Sequence, residues 1–343
     1  MGRRGQPDIR AVIARQLDAD YIAATNATFA AIQRDNLAAS VASLEERARQ
    51  LQEQGARFTP DDPALIALRT DFDAALVRHQ QRISDIALNV QELGVTEAQT
   101  LTLQKALLGI PDGLAGPIRA AWNNPDPAAL ARLVSYTSSP AFDASLARFG
   151  TGIAGMAQNV ILGGVAAGWG PLRTARELRR VVQGLPIVYS NSLMRSLQLN
   201  SYRDATTLQT VANADILEGS IRIAALDLRT CAACIALHGT FLAVGERVDD
   251  HRNGRCDSVP IVKGRGRNIQ TGPEWFDTLS PAEQTRLAPF RATPAKLNAL
   301  NAGVVQWPDF VQQGVDPLFG EVVSEASLSG ILGEGAKQFY VRQ

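Results

Sequence analysis

Cysteine and histidine are scarce, with three of each in 343 residues. Any disulfide would pair two of the cysteines and leave the third over. A disulfide scaffold is therefore excluded, and three thiols suit a reducing compartment better. Charge of one sign is not in excess: 34 basic residues face 34 acidic ones. That excludes a globally basic nucleic-acid binder but leaves room for a local patch. Aromatics make up only 6% of the chain, while Ala, Leu, Gln and Arg are abundant, the composition of a largely helical protein. No secretory signal is expected, because Met1-Gly-Arg-Arg-Gly leads into a polar helical pattern rather than an apolar run. The one long uncharged stretch, Phe149 to Gly170, spends seven of its 22 residues on glycine. Such a run is a poor membrane span and reads as a buried, closely packed helix or pair of short helices, with a membrane-active segment as the lesser alternative. Catalytic metal motifs are missing too. There is no His-Glu-x-x-His, and no His-x-Glu or Cys-x-Glu precedes the first cysteine. These absences argue against a metalloprotease and a zinc deaminase.

The cysteines that do occur are concentrated. Cys231-x2-Cys234-x16-His251-x4-Cys256 places all three, with one histidine, inside 26 residues. A two-residue gap lets a tight knuckle aim both sulfurs of a CxxC at one metal, and tetrahedral zinc takes thiolate and imidazole. Cys231, Cys234, His251 and Cys256 are therefore the candidate ligands of a structural zinc, and four protein donors leave no position for catalytic water. The alternatives are small buried thiols without metal, His238 as a competing ligand, and a cysteine nucleophile with His238 or His251 as base.

Apolar residues at 37, 41, 44, 48, 51, 55 and 58 alternate spacings of four and three, the seam of a helix packed in coiled-coil fashion. Thr59-Pro-Asp-Asp-Pro63 breaks it. A second seam runs through Leu65, Leu68, Phe72, Leu76, His79, Ile83, Ile86, Val90 and Leu93. Together they predict a long antiparallel hairpin, with His79 a partly buried seam histidine. Gly94 is expected to end the second helix, and Thr96 with Gln99 to open the next. Prolines at 111, 117, 125, 127 and 140 cut the following region into short helices. Between Leu172 and Leu217 two helices are expected, split at Gly184-Leu-Pro186, with Leu193, Met194, Leu197 and Leu199 toward a core. Short strands are expected at Ile221–Ala224, Thr240–Val244 and Val259–Val262. They bury too little to fold alone, and a structural metal can supply on the order of 10 kcal/mol.

The fold class is accordingly mainly α: an N-terminal helical hairpin region (1–108), a central helical domain (109–218), a small zinc-binding β-rich module (219–267) and an irregular or helical C-terminal tail (268–343), read as a strap rather than a second core. Arg252, Arg255, Lys263, Arg265 and Arg267 oppose only Asp257, a net charge of +4 over that span. Arginines there can donate to zinc-bound sulfur. The Gly-spaced run Lys263 to Arg267 can lie in solvent, meet a protein surface or follow DNA phosphates without reading bases.

Ala225-Leu-Asp-Leu-Arg-Thr-Cys-Ala-Ala-Cys-Ile-Ala-Leu-His-Gly239, followed by Asp250-His-Arg-Asn-Gly-Arg-Cys-Asp-Ser-Val-Pro-Ile261, resembles the phage Mu F-like minor head proteins, also called the phage head morphogenesis family. Their shared core reads roughly ALDxRTCxxCxxLxG and then HPNCRCxxxPV. Arg252 stands where the family usually has Pro, and Gly254 where it has the first Cys of the CRC pair. Gly168-Trp-Gly-Pro-Leu-Arg-Thr-Ala-Arg-Glu-Leu178, Thr271-Gly-Pro-Glu-Trp-Phe276 and Ser280-Pro-Ala-Glu-Gln284 are weaker matches. The resemblance covers about residues 165 to 320. It implies a non-enzymatic virion protein inside the phage head, present in the host cytoplasm during assembly. It also implies association with the portal protein and with capsid or scaffold proteins in procapsid assembly, and contact with double-stranded DNA in packaging or ejection, with no small-molecule substrate. The rival classes are a zinc-dependent nucleic-acid-binding protein and an effector or toxin enzyme carrying the same module.

Overall fold

The computed structural model describes residues 63–133, 139–167, 173–177, 186–266, 269–291 and 293–340, together with positions 45, 46, 48–50, 52–54, 169 and 180. The described chain is mostly helical with small antiparallel sheets. It divides into two compact units that interleave in sequence. One takes the described residues of 22–92 and 134–198, the other those of 93–133 and from 199 onward.

Helix α1 (Pro63–Ala106) begins on a proline, whose fixed φ and missing N–H suit a first helical turn. The expected stop at Gly94 does not occur, and α1 runs on for three more turns. A glycine inside a helix costs only about 1 kcal/mol against alanine, and the buried stripe continues through it: Ile83, Ala87, Val90, Gly94, Ala98, Leu101 and Lys105 are all buried. Leu93, expected on the seam, is exposed and Ile86 half-buried. A regular helix drifts against a strict 3.5-residue repeat, so over several turns the core face passes to neighbouring positions. The first arm of the expected hairpin, residues 37–58, lies largely outside the described residues. Its described positions at 45, 46, 48–50, 52 and 53 are helical, but the pairing of the two arms is not described, nor is the side chain of His79.

In the first unit, α1 is hydrogen-bonded to helix α4 (Pro140–Ala166). Gln80 Nε2 donates to the Leu146 carbonyl at 3.1 Å, and Phe142 and Leu146 are buried. The first half of helix α5 (Pro186–Ala212) adds Leu193, Met194 and Leu197, all buried as expected. The uncharged glycine-rich stretch is helical as far as Ala166, but it is not buried throughout: Gly155, Asn159, Leu162 and Gly163 are exposed. Among the described residues no helix is long and apolar enough to cross a membrane.

The second unit contains the end of α1, the short helices α2 (Asp112–Ala121) and α3 (Pro127–Leu133), and the second half of α5. Pro117 sits inside α2 rather than breaking it. The face of α5 that turns inward here is polar. Asn200, Ser201, Arg203, Thr206, Gln209 and Asn213 are all buried. Asn213 accepts the Asn123 N–H at 2.7 Å and returns a bond to the Asn123 carbonyl at 2.9 Å.

A three-stranded antiparallel sheet follows α5. β1 (Leu217–Ile223) lies between β2 (Phe241–Leu242) and β3 (Asp257–Val262), with Ile221 opposite Phe241 and Val259. Ile221, Ile223, Val259, Ile261 and Ile269 form its core. Gly219, at the register irregularity of β1, has φ of 155°, and a Cβ there would fall 2.3 Å from the Leu242 carbonyl oxygen. Between β1 and β2 the chain makes a short helix, α6 (Ala232–Leu237), carrying the second cysteine.

The C-terminal tail corrects the expectation of a strap. Helices α7 (Gly272–Asp277), α8 (Pro281–Arg286), α9 (Ala288–Arg291) and α10 (Pro294–Asn301) precede a hairpin of β4 (Val311–Asp316) and β5 (Gly320–Glu325). Thr271 with Glu274, and Ser280 with Glu283, close capping boxes on α7 and α8. Phe276, Phe290, Trp307 and Phe310 meet edge to face with centroids 4.9 to 6.2 Å apart. Phe276, Phe290 and Trp307 cluster with Ile235, and Ala232 packs in an adjoining cluster with Ala295, Phe310 and Leu328. The tail therefore builds cores of its own, and α6 supplies part of both.

Candidate metal centre

Cys231 is the N-cap of α6, and its sulfur accepts the Cys234 N–H at 3.3 Å. One turn of helix thus aims both knuckle sulfurs to the same side. The other half of the site comes from the loop before β3. There the His251 carbonyl accepts the Gly254 N–H at 2.9 Å, and Asn253 takes the left-handed backbone region at φ 60°. Asparagine tolerates that conformation better than most residues.

The two halves converge. His251 Nε2 lies 3.6 Å from Cys231 Sγ and 3.9 Å from Cys234 Sγ, and Cys256 Sγ lies 3.0 Å from Cys234 Sγ. Metal–ligand bonds of about 2.3 Å to sulfur and about 2.0 Å to nitrogen would set the edges of a tetrahedron at about 3.5 to 3.8 Å. The sulfur–nitrogen separations match this, and the Cys234–Cys256 pair would open by less than about 1 Å. His251 Nδ1 donates to its neighbour's carbonyl, Arg252 O, at 2.8 Å. That bond keeps a proton on Nδ1, so Nε2, which faces the sulfurs, is the nitrogen that would bind a metal on giving up its own proton. All three thiols are free, and a small cavity lined by Cys231, Cys234, His251 and Cys256 gives access to them. Among the described residues two overlapping groups can hold a metal ion: Cys231, Cys234 and His251, and Cys234, Asp250 and Cys256.

Sequence reasoning missed Asp250, Arg203 and Arg222. Asp250 is buried and accepts from the His251 N–H at 2.9 Å, the Cys256 N–H at 3.0 Å and Arg203 Nη2 at 2.9 Å. With its oxygens so engaged, it acts beside the donor set. Arg222, on β1, reaches to 4.0 Å from Asp250. Burial works against its charge, but Cys256 and Asp250 outweigh that and raise its pKa. Two buried guanidinium groups and one buried carboxylate leave one positive charge in excess. Three thiolates on a divalent ion leave one negative charge, so the donor set and its surroundings are electrically complementary.

In the metal-free chain the proton distribution is uneven. The hydrogen bond from Cys234, together with His251, holds the Cys231 thiol down to about 5 against the effect of burial. Cys234 is pushed well up by its bonds to Cys231 and Cys256 and by burial. His251 is raised to about 9, chiefly by Cys231, with Asp250 assisting.

His238 stands apart from the donor group. It is buried at the end of α6, and its Nδ1 accepts the Ala224 N–H at 2.8 Å. Of the arginines expected to serve the sulfurs, Arg255 lines the same cavity, but both arginines are engaged by carboxylates. Arg255 makes a two-pronged pair with Asp227, and Arg252 pairs with Asp316 at 2.8 Å and lies over the Phe319 ring. Lys263 is exposed and donates to the Asp215 carbonyl at 2.9 Å. Arg265 is half-buried, and Arg267 lies outside the described residues.

Comparison with known proteins adds no relative: no family model, no curated protein and no solved structure matches this chain.

Proposed function

We propose that this chain is a phage minor head protein of the Mu F-like kind, a structural component acting in procapsid assembly with the portal protein and with capsid or scaffold proteins. The observation that carries the reading is the convergence of Cys231, Cys234, His251 and Cys256 within the motif that bears the resemblance. A zinc ion held by these four would cross-link the knuckle to the loop before β3, and four protein donors would leave no site for substrate water. That supports a rigid assembly element over an enzyme. The protein would work inside the phage head after assembling in the host cytoplasm.

Contact with packaged DNA is a narrower part of the proposal. Arg252 and Arg255 are engaged by Asp316 and Asp227, whereas Lys263 is exposed and Arg265 half-buried, so the proposal places phosphate contact on these two together with Arg267.

The test is joint. Protein purified without chelator should carry one zinc per chain and co-purify with a portal protein co-expressed with it. Metal-free protein with unchanged stability would end the zinc reading. Failure to associate with portal, scaffold or capsid protein would end the assembly reading.

A further inference from the structure

The loop half of the candidate metal centre is held together by Asp250 and Arg203. Asp250 precedes His251 by one residue and Cys256 by six, and it accepts the backbone N–H of both, at 2.9 and 3.0 Å. It also accepts from the Cys234 thiol at 3.8 Å and from Arg203 on α5, whose guanidinium donates in addition to the Gly254 carbonyl at 2.9 Å and the Cys256 carbonyl at 2.8 Å. Carboxylate and guanidinium together hold the loop by two N–H groups and two carbonyls. Both are almost wholly buried, at 2% of relative exposure each. Gly254 completes the arrangement. A Cβ at 254 would fall 2.1 Å from the Asp250 carboxylate, which explains why glycine occupies a position where the resembled family carries cysteine.

We propose that Asp250 and Arg203 are positioning residues that preform the His251–Cys256 half-site before any metal arrives. This inference rests on the zinc reading only for its consequence, metal affinity; the preformed loop itself does not depend on it. The physical case is that a buried charge pair with its hydrogen bonds satisfied is rigid. A loop with its ligands already in place loses less conformational freedom on binding than one that must order around the ion. The knuckle half needs no such device, because α6 orders it.

Two experiments test this. In metal-free wild-type protein, the amide hydrogens of His251 and Cys256 should exchange slowly, at rates close to those of β3. Exchange as fast as in exposed loops would overturn the proposal, whether or not zinc binds. Next, zinc affinity and the visible spectrum of the cobalt-substituted protein are compared for wild type, Asp250→Asn and Gly254→Ala. The expected result is a loss of about 10- to 100-fold in zinc affinity with helicity retained, and cobalt bands altered in position or intensity. Wild-type affinity and spectrum in a folded form of either variant would overturn it. Wild-type protein that binds no zinc, yet protects both amides, would refute the zinc reading and leave the preformed loop standing.

Discussion

Asp227 receives two nitrogens of Arg255, each at 2.6 Å, so the turn before Cys231 is fastened to the residue before Cys256 from outside the donor set. The hydrogen bonds from Arg255 are the largest cause of an Asp227 pKa of about 2. An unfolded aspartate titrates near about 3.9. Because the folded value is the lower one, the pair's stabilisation is complete above about pH 4 and is lost as pH falls through about 2. The carboxylate is 39% exposed, so solvent screening keeps the effect modest. Thermal melts of metal-free protein between pH 5 and pH 2 (a range chosen about these values) should fall more steeply for wild type than for Asp227→Asn. Parallel curves would show that the pair contributes nothing to stability.

Cys256→Ser should abolish stoichiometric zinc binding and loosen more than the β module. Sequence reasoning ties only the three short strands to a metal, but Ile235 and Ala232 of α6 lie in the two clusters that also hold Phe276, Phe290 and Phe310. Hydrogen exchange should therefore accelerate in α7 and in the segment around Phe310 as well as in α6. Acceleration confined to 221–262 would mean that the tail clusters stand without α6.

Lys105 and Asp257 form a buried ion pair between α1 and the first residue of β3, with Lys105 Nζ also donating to Tyr202 at 2.7 Å. Lys105→Met would leave Asp257 as a buried carboxylate deprived of that cation. Removing one partner of a buried pair costs about 3 to 5 kcal/mol. Denaturant unfolding should show a loss of that order, and Asp257→Asn added to Lys105→Met should recover part of it. Additive losses in the double variant would mean that the two residues act separately.

The Cys/His cluster was legible because spacing alone restricts what three cysteines and a histidine can do, and the strands because Ile221 and Ile223 alternate in β1 and Val259, Ile261 and Val262 fall together in β3. The residues around the donors were not legible. Arg203 sits in a helical stretch 53 positions before Cys256 in the hydrogen bond they share, and no local pattern reports a contact of that range. Arg222 lies between two isoleucines, where alternation predicts a solvent-facing side chain, yet this strand is covered on both faces. Asp250 carried a faint signal as the residue before a candidate ligand. The tail misled for a related reason: its aromatics are spread over several short elements, so no helical or strand period announces the core they form in space.

The basic loop gives the last prediction. Arg252 and Arg255 look equivalent to Lys263, Arg265 and Arg267 in sequence, but the first two are held by Asp316 and Asp227. Replacing Arg252 or Arg255 by Ala should therefore lower stability while leaving any binding to duplex DNA nearly unchanged. Replacing Lys263, Arg265 and Arg267 together should do the reverse. Each phosphate contact releases about one counterion, so the triple variant should flatten the dependence of log affinity on log salt by up to roughly three units. Zinc content should stay at the wild-type value, because none of the three is a metal donor. Binding should also be indifferent to base sequence, since a loop spaced by Gly264 and Gly266 cannot hold the rigid two-pronged geometry that reading a guanine needs. A wild-type slope in the triple variant would assign these cations to solvent or to an acidic surface of the portal.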